Sequence, residues 1–368
     1  MASNLTLNRA NKAKKDEFYT QLSDIENELK HYRKHFAGKT VLCNCDDPFE
    51  SNFFQYFCLN FNRLKLRKLI ATCYSGSPIS GSQLTLFGDE TEEEKHTPYK
   101  AVVTSIHDAD GDGATSMVDV AELFRQGENT IERLQGNGDF RSKECMSLLD
   151  EADIVVTNPP FSMFEEYIST LLKKNKKFVI IGNQNALKYK AVFPYLQNNE
   201  LWLGYGFPGN VAFFESPYKD IAVSSTHREG MIRVSGIMWY TNLDIKKRHE
   251  ELVLVKRYNP KDYPKYVNYD AIEVGKTSDI PCDYSGNMGV PITFMTKYDP
   301  EQFEIVGMNW TVLADAVLSD DIRNHHNVAR RLNFYLPKPD GRGNDYSRMY
   351  DRIVIRNRHP EPQRYQEV

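Results

Sequence analysis

The stretch ADIVVTNPPFSMFEEY, residues 152 to 167, limits the possible folds more than any other part of the chain. An apolar, β-branched run ends in Asn158, Pro159, Pro160 and Phe161, and a helical pattern begins immediately afterwards. Neither proline can donate to a sheet ladder, so the strand has to stop there. The same alternation recurs through the first two thirds of the chain. KTVLCNCDDP reads as a strand and a turn, SNFFQYFCLNFNRL as a helix, and RKLIATCY as the next strand. KKFVIIGN follows the amphipathic stretch 162 to 176, while LWLGYGF, GIMWYTNL and ELVLVKRY read as later strands, antiparallel at one sheet edge. Alternation of this kind predicts an α/β fold with a mainly parallel sheet.

A length of 368 residues accommodates two ordinary domains, or one large domain with an appendage. Hydrophobic content of 40% with 26% charged residues is that of a chain able to bury a core. No run approaches the roughly 20 apolar residues of a membrane span. The polar, basic N-terminus lacks the apolar centre of a secretory signal, so a cytoplasmic location and no membrane partner are expected. Cysteines stand at 43, 45, 58, 73, 145 and 282. Their single Cys-x-Cys pair lacks the second pair of a zinc site, which predicts small buried hydrophobes and no metal.

Between the second strand and residue 136 lies an insertion, about 76 to 135, that opens with a polar acidic loop. Within it Asp108, Asp110, Asp112, Gly113 and Asp119 imitate a calcium loop. The flank before them is strand-like and the twelfth position is Asp, so a turn is the expected structure. Net charge is only −4, and nucleic-acid binding has to be sought locally. From Ile322 to Arg364 ten Lys/Arg stand against four Asp/Glu, with aromatics interleaved. Arg330, Arg331, Arg342 and Arg348 are the phosphate-contact candidates in that stretch.

Ligands of open α/β sheets bind outside the carboxyl ends of the strands, where Asn158 to Phe161 is expected to lie. Proline carbonyls outside a ladder are free acceptors, and the Asn158 amide oxygen is another. Two acceptors match the two hydrogens of an exocyclic amino group, and the Phe161 ring can stack on the attached base. The lone pair of such a nitrogen is delocalised into its ring. Accepting both N–H bonds favours a tetrahedral nitrogen with its lone pair aimed at an incoming methyl group.

With these residues in view, the sequence resembles the DNA N6-adenine methyltransferases, most closely the EcoRI-type adenine-specific methylases. KKDEFYTQLSDIENELKHY (14 to 32) resembles their N-terminal cofactor motif, an aromatic-Thr loop opening a helix. KTVLCNCDDPFESNF (39 to 53) occupies the place of the first-strand cofactor motif, and NGDFRS (137 to 142) resembles the Asp-Phe motif. VSGIMWYTNL (234 to 243) and the block 269 to 308 resemble later segments of the type.

The resemblance implies a Rossmann-like class I S-adenosylmethionine-dependent sheet, with a catalytic domain over 1–255 and a target-recognition, DNA-binding region over 256–368. It implies S-adenosylmethionine as cofactor, double-stranded DNA as partner, and methylation of a flipped adenine at N6. Asn158, Pro159, Pro160 and Phe161 become the catalytic loop. Tyr19, Thr20, Asn44, Asp46, Asp47, Asp139 and Phe140 become the cofactor set, and Trp239 a candidate to stack on the flipped base.

Two positions depart from the family pattern. NCDDP has no Gly-x-Gly turn, so Asn44, Asp46 and Asp47 must serve in its place. LIATCY lacks the acid that usually holds the ribose hydroxyls, leaving Thr72 or Tyr74 as candidates. Cytosine-N4 or RNA amino methylation uses the same amino-group logic, and a catalytically inactive DNA-binding module on this fold is the reading from another class. Separately, QLTLF (83 to 87) resembles short peptides that dock on the replication sliding clamp.

Overall fold

The computed structural model describes residues 19–45, 51–74, 98–107, 129–215, 231–315, 332–337 and 346–362. The chain divides into two compact units, Met1–Val192 with Leu203–Ile245, and Phe193–Trp202 with Lys246–Val368. The sequence predicts a single boundary at 255/256. Residues 193–202 join the second unit because their partners are remote in sequence: Phe193 meets Trp310 edge-on, Gln197 donates to the Val306 carbonyl, and Tyr298 donates to Asn199.

In the first unit the strands are β1 (Tyr19–Thr20), β2 (Thr40–Asn44), β3 (Lys68–Thr72), β4 (Tyr99–Val103), β5 (Thr130–Arg133), β6 (Ile154–Thr157) and β7 (Lys177–Asn183). They are followed by β8 (Trp202–Leu203), β9 (Val211–Glu215), β10 (Met231–Ser235) and β11 (Ile237–Thr241). The main sheet has the order β5-β4-β3-β2-β6-β7-β11-β8. Its centre, β3-β2-β6-β7, is parallel. Every residue of β2 and β6 is buried, as expected for strands covered on both faces.

β11 is antiparallel to β7, as the sequence predicts. The expected insertion is partly sheet: β4 and β5 come from it, β4 antiparallel to β3 and β5 antiparallel to β4 at the edge. The parallel character is therefore confined to the four central strands. Of the two other expected strands, one is cut short and one forms no ladder beyond an isolated bridge at Lys256. LWLGYGF contributes only Trp202–Leu203. ELVLVKRY is held by a side chain instead, because Gln302 accepts from the Leu252 N–H and donates to its carbonyl.

Helix α1 (Leu22–Leu29) follows β1, and α2 (Asn52–Leu59) follows the first-strand motif, capped by Ser51. Helix α3 (Lys143–Glu151) is capped by Ser142, and α4 (Phe164–Lys173) follows the proline loop. Helix α4 buries Phe164, Tyr167, Ile168, Leu171 and Leu172, the 3-4 spacing of an amphipathic helix. Gly182 of β7 is needed beneath it, since a Cβ there would lie 2.3 Å from the Phe164 ring. A separate three-stranded sheet, β1-β9-β10, is antiparallel throughout.

The second unit contains β12 (Ile272–Glu273), β13 (Met288–Pro291), β14 (Phe303–Met308), β15 (Tyr335–Leu336), β16 (Ser347–Arg348) and β17 (Arg352–Asn357). They form a four-stranded sheet, β12-β13-β17-β14, and the hairpin-like pair β15-β16. Among the described residues no helix is long and apolar enough to cross a membrane, and no cluster of His, Cys, Asp or Glu could hold a metal ion. The QLTLF stretch and the calcium-like aspartates lie outside the described residues.

Candidate active site

From β2 the chain proceeds to β3 on one side, while β6 lies on the other, so the direction of winding reverses at the β2/β6 pair. Crevices at such switch points are the binding places of open α/β sheets. Asn44 ends β2 and Asn158 follows β6, which brings two sequence-predicted groups to neighbouring strand ends.

Asn158 is buried, at 5% exposure, and Pro159 is buried beside it. The Asn158 side-chain oxygen accepts no hydrogen bond from protein, although the residue makes other contacts. Pro160 has a different part: its carbonyl accepts from the Met163 N–H at 3.0 Å and closes a short 3-10 turn, Phe161–Met163. Phe161 is half-buried and meets Phe214 of β9 edge-on, with ring centroids 6.1 Å apart.

Phe214 is the register partner of Thr20 in the small sheet. The N-terminal motif is thus carried next to the proline loop by a strand more than 190 residues away in sequence. Tyr19 and Thr20 form β1 itself, where the sequence predicts a loop; Gln21 then starts α1. Thr20 is 3% exposed and its hydroxyl makes no hydrogen bond. Its carbonyl accepts from the Asn52 side chain at 2.7 Å, tying β1 to the start of α2.

Asn44 is buried at 5% exposure. Its side-chain oxygen accepts from the Tyr167 hydroxyl, and its carbonyl accepts from the Thr157 hydroxyl. Cys45 follows with φ +82°, a conformation that glycine adopts freely and an L side chain resists. Asp46 and Asp47 lie outside the described residues.

Asp139 and Phe140 are brought to the end of β3. Gly138, at φ +75°, packs so closely there that a Cβ would stand 2.1 Å from the Cys73 carbonyl oxygen. The Asp139 carboxylate accepts from the backbone N–H and Nε of Arg141, both at 2.8 Å, and from Nη2 at 2.5 Å. These bonds hold its carboxyl below the usual range. Arg141 also reaches Glu166 of α4 at 3.3 Å. Phe140 is nearly buried and meets Tyr167 edge-on at 5.0 Å. Of the two ribose candidates, Thr72 is buried in β3, whereas Tyr74 is 42% exposed just beyond it.

Trp239 is a correction. It is 1% exposed in β11, stacked on Phe207 at 5.6 Å and met edge-on by Phe53 at 6.0 Å. A ring enclosed by its own core presents no face to a flipped base. Two arginines of the basic stretch that were not among the phosphate-contact candidates have structural partners. Arg352 is buried against Glu273 at 2.7 Å, and Arg358 donates to the Pro300 carbonyl, so both serve the fold of the second unit. Arg348 is exposed on β16, while Arg330, Arg331 and Arg342 lie outside the described residues.

Tyr167 and Thr157 join the site without any signature in the sequence. Both look like interior residues of their elements, and only the packing shows that their hydroxyls end on Asn44.

Asn-Pro-Pro-Phe directly after β6 at the switch point is the arrangement expected of an amino-group methyltransferase. The chain belongs to the EcoRI-type adenine-specific methyltransferase family, whose model matches residues 6–358. It is 45% identical over 314 residues to the Type II methyltransferase M.EcoRI of Escherichia coli, covering 83% of this chain and 89% of that one. The Type II methyltransferase M.MgeORF184P of Mycoplasma genitalium is 38% identical over 81% of this chain and 84% of its own length. M.MpnI of Mycoplasma pneumoniae is 34% identical over 95% and 98%. No solved structure matches.

Proposed function

We propose that the chain transfers a methyl group from S-adenosylmethionine to N6 of an adenine turned out of a DNA duplex, at a specific site. The observation that carries this reading is the placement of Asn158 and the Pro159 carbonyl directly after β6 at the switch point, in a chain of the adenine-specific family.

The sulfonium donor supplies an already activated methyl group when bound. What the chain contributes is an environment for the amine. The Asn158 oxygen and the Pro159 carbonyl accept the two N6 hydrogens, Phe161 stacks on the base, and Pro160 holds the turn. Extrusion of the base costs a few kcal/mol, offset by these contacts.

The donor set suits a nucleoside cofactor. Thr20 offers a buried hydroxyl, Asp139 an ionised acceptor with lone-pair capacity beyond its three bonds, and Phe140 an aromatic surface. Tyr19 and Asn44 complete the described part, with Asp46 and Asp47 assigned to the same group by the motif. The second unit is assigned to target recognition, with Arg348, Arg330, Arg331 and Arg342 on phosphates, because clustered Arg gives salt-dependent DNA binding.

The test is Asn158→Ala. Methylation of plasmid DNA should fall at least about a hundredfold, the loss typical of a removed transition-state contact. Binding of S-adenosylhomocysteine should persist. Turnover close to that of the parent protein would refute the assignment.

A further inference from the structure

Helix α4 leaves the proline loop, and its fourth residue points back beneath the cofactor side. Tyr167 is 2% exposed. Its hydroxyl donates to the Asn44 side-chain oxygen, and its ring supports Phe140 edge-on at 5.0 Å. Thr157, the last residue of β6, tethers the Asn44 carbonyl. One position before Tyr167, Glu166 reaches Arg141, which clasps Asp139. The strand and helix on either side of the proline loop therefore touch Asn44 and Phe140 directly, and Asp139 through Arg141.

A tyrosine present only for packing could be replaced by phenylalanine, which fills the same space without a hydroxyl needing a partner. Here the hydroxyl ends on an amide at the carboxyl end of β2, inside the crevice. By occupying the amide oxygen it leaves the two amide N–H donors of Asn44 for another acceptor. The exposed Arg141 bridge is the weaker of the two links, because solvent screens it.

We propose that Tyr167 is a positioning residue for methyl transfer: its hydroxyl orients the Asn44 amide and its ring supports Phe140, so the helix that follows the amine-binding loop also sets the cofactor-side groups. This rests on the assignment of Asn44 and Phe140 to the cofactor.

The experiment is calorimetric titration of the full chain with S-adenosylhomocysteine, together with steady-state kinetics. Tyr167→Phe should weaken binding roughly tenfold, the effect of one buried hydrogen bond and an amide left unsatisfied. KM for S-adenosylmethionine should rise by a larger factor than kcat falls. Added to Asn44→Ala, the same substitution should produce no further loss, because both remove one interaction. Thr157→Val, which removes the other tether on Asn44, should weaken binding by a smaller factor and is the second variant if Tyr167→Phe folds poorly.

Parent-like affinity in folded Tyr167→Phe and Thr157→Val, with Asn44→Ala impaired, overturns the proposal and spares the cofactor assignment. Additive losses in the double variant also overturn it. Parent-like affinity in both Asn44→Ala and Phe140→Ala removes the assignment itself, and the proposal with it.

Discussion

The carboxyl ends of β2 and β6 are neighbours in one sheet, yet they are built by different means. At β6 the covalent rings of Pro159 and Pro160 stop the ladder, and a turn bond from the Met163 N–H to the Pro160 carbonyl shapes the loop. At β2 the backbone enters a left-handed conformation at a cysteine, and Asn44 is held from residues 113 and 123 positions away. A motif that works through covalent geometry announces itself in sequence. One that works through distant tethers can lose its usual residues and keep its shape.

If the cofactor side depends on such tethers, it should be the more fragile side. Gly138→Ala is the severest case, with backbone rather than a flexible side chain in the way. It should cost about 3 kcal/mol or more, from strain and overpacking together. Urea unfolding measures the loss, and S-adenosylhomocysteine binding should weaken with it. A fully stable, fully binding variant would show that the Asp139 loop is not held at Cys73.

Glu28→Gln comes next. The Glu28 carboxylate, on the buried face of α1, accepts from the Tyr32 hydroxyl and the Tyr205 and Gly206 N–H groups at 2.8 to 2.9 Å. A glutamine would turn an N–H2 donor towards another donor, at a cost of about 2 kcal/mol in thermal unfolding. An unchanged melting temperature would mean that the clamp is not needed to hold α1.

Cys45→Gly should act in the opposite direction. Relief of the left-handed strain outweighs the added chain entropy of glycine, for a gain of about 0.5–1 kcal/mol. A loss of stability would show that the thiol matters more than the backbone angle.

The smallest effect concerns pH. Asp139 titrates below its ordinary value because Arg141 bonds it, so its stabilising interaction is complete above that ordinary value and is lost as pH falls through the depressed one. Arg141→Ala should move that loss to higher pH, by a modest amount because Arg141 is half-exposed. Carboxyl titration followed by NMR reads it directly; an unmoved Asp139 would break the link between the pair.

The central strands, the antiparallel β11 and helix α4 were legible because each carries its own periodicity. β4 was legible as the strand-like flank of the calcium-like aspartates, whereas β5 was hidden in the insertion, since pairing with β4 supplies what its short alternation does not. Trp239 misled because an aromatic in a strand looks the same whether it faces a ligand or Phe207. The end of β6, the proline turn and the start of α4 could be read residue by residue. Of the cofactor side only the residue types were visible, without their supports.

Residue order alone settles where β6 stops and where α4 begins, because proline geometry and helical periodicity are local properties. That Thr20, Phe214 and Phe161 come together, that Cys45 takes a left-handed backbone angle, and that Tyr167 ends on Asn44 are consequences of strand pairing and helix packing. Those contacts join positions far apart in the chain, and no local pattern encodes them.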